Sequence, residues 1–95
     1  MFDQVLRRMR AKIAAGEYVM TAHAEEEMED DGLSIFDIEH AVLDGAIVER
    51  QREAGTNEYK YRLEGPTIGG KDMVVVLKMG PTGKVVMITV FLLTK

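Results

Sequence analysis

Two nearly continuous apolar runs constrain this chain more than anything else in it: Met73-Val74-Val75-Val76-Leu77, and Val85 to Leu93. Gly80-Pro81-Thr82-Gly83 separates them and reads as a hairpin turn. A half-exposed strand alternates apolar with polar, whereas these runs are apolar at every position but Thr89. Strands of that kind sit inside a sheet and are covered on both faces. Helices are expected to cover one face. The other face also needs cover, for which a partner subunit is one solution.

The segments before them supply two more strands. Ile47 to Arg52 alternates weakly, and Glu53 to Asn57 reads as a loop. Glu58 to Glu64 alternates strictly, with Tyr59, Tyr61 and Leu63 on one side and charges on the other. Gly65-Pro66 and Gly69-Gly70 then mark a turn. Four strands joined by such short turns imply an antiparallel meander.

The N-terminal part has helical spacing instead. Phe2, Val5, Leu6, Met9 and Ile13 form one stripe, and Gly16 reads as the stop. Tyr18-Val19-Met20 reads as a short extended link. Thr21 suits the N-cap of a second helix, about Ala22 to Asp30, whose first turns carry Glu25, Glu26 and Glu27 near the positive dipole end. Ser34 with Asp37 resembles a capping box, and Leu33 with Ile38 a hydrophobic staple, ahead of a third helix closed by Gly45. The expected architecture is α+β: about three helices packed on one face of a four-stranded antiparallel sheet, with residues 1–95 as one domain.

Charge is unevenly distributed. Ile13 to Glu49 holds eleven acids and no Lys or Arg, whereas Arg50 to Lys95 holds eight basic residues and four acids. Such asymmetry either marks a phosphate-binding surface or reflects two solvated faces. With no cysteine there is no disulfide framework, thiolate metal site or cysteine nucleophile. No apolar run approaches a membrane span and no secretory core is evident, so a cytoplasmic location and no membrane partner are expected.

Several stretches carry a family likeness. Tyr18-Val19-Met20-Thr21-Ala22-His23-Ala24, Met28 and Asp31-Gly32-Leu33-Ser34-Ile35-Phe36-Asp37-Ile38 come first. Gly45-Ala46-Ile47-Val48-Glu49, Tyr61-Arg62-Leu63-Glu64-Gly65 and Val86-Met87-Ile88-Thr89-Val90-Phe91 follow. In order and spacing they resemble the small prokaryotic domain-of-unknown-function family 4258. The resemblance implies a fold similar to the RelE, barnase and colicin class of toxin ribonucleases, and candidate catalytic residues at His23, Tyr61 and Thr89. Glu27 and Asp31 stand where many relatives carry arginine, and Phe91 where tyrosine is common.

Residue chemistry adds three candidates. A neutral His23 near a helix start can take a proton from a ribose hydroxyl, or it can simply bond a neighbouring carboxylate. Arg50, Arg52, Lys60 and Arg62 on adjacent strands can bind a phosphate or pair with Glu49, Glu58 and Glu64. His23 and Glu27 are i, i+4, with His40 a helix away, a weak metal pattern that leaves no metal or cofactor expected. The acids of Thr21 to Asp44 argue against a DNA-reading helix pair there. The readings are then two: a toxin-like, metal-independent ribonuclease acting on RNA, or a non-catalytic domain that binds a second copy or an antitoxin-like partner through its apolar sheet face.

Overall fold

In a computed structural model, which describes residues 1–93, three helices and five strands follow one another. The order is α1 (Asp3–Ala14), β1 (Tyr18–Met20), α2 (Ala22–Asp30), α3 (Ile35–Asp44), β2 (Ala46–Arg52), β3 (Tyr59–Pro66), β4 (Asp72–Met79) and β5 (Val85–Leu92). The start signals act as read. Thr21 Oγ1 accepts from the Ala24 amide, and Ser34 and Asp37 form a reciprocal capping box. Gly16 and Gly32 end α1 and α2 at φ 72° and 67°, a region closed to most L-residues.

The sheet is mixed, with strand order β1-β5-β4-β3-β2. This corrects the expectation of four antiparallel strands. Tyr18–Met20 is not a link but a strand, paired in parallel with Val85 to Met87. Three residues are too few to show a period of two, so its pairing is visible only in the fold. The remaining pairs are antiparallel. The apolar runs became β4, the middle strand, and β5 beside it.

Two bulges set which side chains face inward. In β5, Val76 pairs with Thr89 but Leu77 with Met87, which leaves Ile88 as the extra residue. That is why Met87 and Val90, three apart, are both fully buried. In β2, Ile47 pairs with Leu63 and Glu49 with Arg62, which leaves Val48 as the extra residue.

The core lies between one sheet face and the helices. Met9 and Ile13 of α1 and Ile38, Ala41 and Val42 of α3 pack on Leu63, Met73, Val75, Leu77, Val85, Met87 and Val90. The helix α2 departs from the expected three-on-one-face layer. It runs along the free edge of β5, where Glu27 accepts from the Val90 amide at 3.3 Å and Asp31 from the Leu92 amide at 2.9 Å. Glu27 and Asp31 thus satisfy strand donors that β1 is too short to reach. The opposite sheet face carries Lys60, Arg62, Val74, Val76, Val86, Thr89 and Phe91, and no helix among the described residues packs on it.

Candidate functional site

The bulge at Val48 divides the four cations that the sequence placed together. Beyond it Arg50 pairs with Tyr61 and Arg52 with Tyr59, so both arginines lie on the helix side. Glu49 pairs with Arg62 and Gln51 with Lys60, on the helix-free side. No single four-cation surface forms.

The two halves differ in how far they are neutralised. On the helix-free side Arg62 Nε lies 3.2 Å from Glu64, and its guanidinium sits 5.8 Å from the Phe91 ring centroid. Nearby, Lys78 contacts Glu53 at 3.0 Å and Glu58 at 3.3 Å. The hydrogen bond from Lys78 lowers the Glu53 pKa, and the same bond raises that of Lys78.

On the helix side, Arg50 meets the start of α1. A groove of about 480 Å³ is lined there by Phe2, Asp3, Gln4, Arg8, Arg50 and Tyr61, among others. Among the described residues neither Arg8 nor Arg50 has a carboxylate within 4 Å, Asp3 included. Arg50 instead stacks over Tyr59 at 4.4 Å, and Phe2 meets Tyr61 edge to face at 5.9 Å. Exposed guanidinium groups interleaved with aromatic rings suit a phosphate chain with unstacked bases. Arg52 is turned toward the hairpin, donating to Thr56 O and to Asn57 Oδ1 at 2.6 Å.

The three candidate catalytic residues do not converge. Tyr61 lies in the groove, and Thr89 lies on the other sheet face, across Val76 from Arg62. His23 stands on α2 beside the opposite sheet edge, three to four strand spacings from β2, or roughly 14–19 Å. Its side chain is 66% exposed, and Nε2 is 3.1 Å from Glu27, the same carboxylate that receives the Val90 amide. His40 is on another helix, 2.9 Å from Pro66 O through Nδ1 and 3.4 Å from Asp44 through Nε2.

A family model, Domain of unknown function (DUF4258), matches residues 20–92. The chain belongs to this family. The match takes in every strand from β2 to β5 and leaves α1 outside it, so six of the groove's eight lining residues come from α1 and the two residues before it, beyond the match. Searches of curated proteins and of solved structures each returned no match.

Sequence reading missed the α1 contribution, Arg8 and Phe2. The available signal was the cluster Arg7, Arg8 and Arg10 on the polar side of an amphipathic helix. Its three members do different work: Arg10 turns inward and donates to Val42 O at 3.0 Å and Gly45 O at 2.8 Å, capping the C-terminus of α3. No helix of the described residues is long and apolar enough to cross a membrane.

Proposed function

We propose that this DUF4258 domain is a toxin-like, RNA-acting domain that holds the phosphate chain of single-stranded RNA in the groove between α1 and the β2–β3 pair. The observation that carries this is the pairing of Arg8 and Arg50, both without carboxylate partners among the described residues, beside the rings of Phe2, Tyr59 and Tyr61. The placement of helices before an antiparallel meander supports the likeness to RelE- and barnase-type ribonucleases; activity itself must be argued from the site. In a metal-independent cleavage the ribose 2′-hydroxyl gives up its proton and attacks phosphorus, and the 5′-oxygen leaves with a proton. Arg8 and Arg50 are the groups able to stabilise the charge developing on phosphorus, and the Tyr61 hydroxyl and the Asp3 carboxylate are the proton carriers that line the same groove.

Affinity for a fluorescent single-stranded RNA, measured against salt, tests the binding. Neutralising about two phosphates predicts a log–log slope near −1.4 on single strands. Arg8→Glu with Arg50→Glu removes the binding; salt-independent binding, or binding unchanged in the double variant, refutes it. Induced expression of wild type, Tyr61→Phe and His23→Ala, with growth and RNA integrity followed, then separates the proton carriers. Cleavage lost in Tyr61→Phe alone supports the groove. Cleavage lost in His23→Ala alone moves the chemistry to the other sheet edge.

A second reading, a non-catalytic interaction domain, is favoured by the helix-free face. Two of its cations, Arg62 and Lys78, are already paired, and Val76, Val86, Ile88 and Phe91 are only part-buried there. Sedimentation of the wild type against Val76→Asp tests it: an oligomer lost in the variant supports this reading.

A further inference from the structure

The two edges of the sheet are treated differently. One is short and partly capped: β1, three residues long, covers Val85 to Met87, and the Glu27 and Asp31 carboxylates take the Val90 and Leu92 amides beyond it. The other is β2, seven residues long and exposed at every position from Val48 to Arg52. Its inner side bonds β3, and the Glu53 amide continues that side by donating to Glu58 O. Alternation then turns the amides of Arg50 and Arg52 outward, where no backbone partner meets them among the described residues. From the open outer edge and the charges flanking it, we infer that β2 accepts an added strand: an extended segment of a partner protein with carboxylates on the side chains beside Arg50 and Arg52.

Charge selects that occupant over a second copy. Two-fold antiparallel pairing of β2 with itself must place residues of the same face opposite one another. Every such register through 49–52 sets like charges together: Glu49 on Glu49, Arg50 on Arg50, Arg52 on Arg52, or Arg50 on Arg52 about a Gln51 pair. Like charges directly opposite destabilise a strand pair. An acidic strand meets Arg50 and Arg52 favourably, while its main chain supplies the hydrogen bonds of strand addition. The charged side chains and the bulge of β2 guard it against apolar strands and leave it open to this one.

The test uses the whole chain and a seven-residue peptide alternating Thr and Glu, titrated to millimolar concentration while backbone amide resonances are followed. Saturable shifts confined to residues 46–52, with affinity at least tenfold above that of the Thr/Lys counterpart, support the inference. A Glu peptide N-methylated at alternate amides must lose them. Three results overturn it: no saturable shift in 46–52, equal response to both peptides, or equal response to the methylated peptide. RNA plays no part in these readouts, so the outcome is independent of the groove's proposed function.

Discussion

Replacing Gly65 by alanine is the sharpest test of how this fold is packed. Gly65 lies on β3 where the C-terminal end of α3 crosses it, and a Cβ added there would sit 2.3 Å from Ala41 O, 2.9 Å from Ala41 C and 3.0 Å from its Cα. Those atoms are helix backbone and cannot rotate away. Ordinary contact begins near 3.4 Å, so α3 has to lift by about 1 Å from the sheet. Ala41 and Val42, both fully buried, would lift with it. Overpacking of side chains costs typically about 1–3 kcal/mol, and a backbone obstacle belongs at or above the top of that range. At roughly 4–8 °C per kcal/mol for a domain of this size, Gly65→Ala lowers Tm by about 12–24 °C. Thermal unfolding followed by circular dichroism reads this directly. Gly69→Ala is the control, since its nearest neighbour is Thr67 Oγ1 at 3.9 Å and its φ is not positive. A Gly65→Ala protein melting within about 2 °C of wild type, by the same scale, would show that the close approach of α3 to β3 is wrong.

Three other outcomes follow from hydrogen bonds. Arg10→Ala frees the carbonyls of Val42 and Gly45 and should cost about 1–3 kcal/mol in chemical denaturation, whereas Arg7→Ala, whose side chain makes no hydrogen bond among the described residues, should cost under about 0.5 kcal/mol. Asp37 has its pKa lowered, first by the Ser34 amide and also by the Ile68 amide, so its contribution is present above the unfolded pKa and is lost as pH falls through the folded one. The urea midpoint of wild type should therefore exceed that of Asp37→Asn at neutral pH, and the gap should close under acid. Glu27→Ala with Asp31→Ala should speed hydrogen exchange at the Val90 and Leu92 amides while Val75 stays protected; equal protection at all three would show that the carboxylates do not close that edge.

What was legible in the sequence had a repeating physical signature. The stripe Phe2 to Ile13 produced α1, the Ser34–Asp37 box started α3, and the nearly continuous apolar runs became β4 and β5. What was not legible had no period to read. β1 is three residues held by a partner strand sixty-seven positions away in register, Tyr18 on Val85. The likeness of His23 to a family pattern said nothing of its distance from the arginines, because that distance is set by strand order.

The cation cluster shows how one residue decides a site. A strict period of two puts Arg50 and Arg52 on the face of Val48, and a bulge of one residue reverses every position after it. The bulge at Val48 lets Ile47 pack against the core while Arg50 and Arg52 turn to the helix side. Arg50 thereby leaves Arg62 and Glu64 behind and gains Tyr59, Tyr61 and Arg8 as neighbours. Without the shift it would share a face with Glu64 and Arg62, whose charges already neutralise one another. The groove therefore depends on a local irregularity that burying Ile47 maintains, and Val48, 51% exposed, is its visible mark.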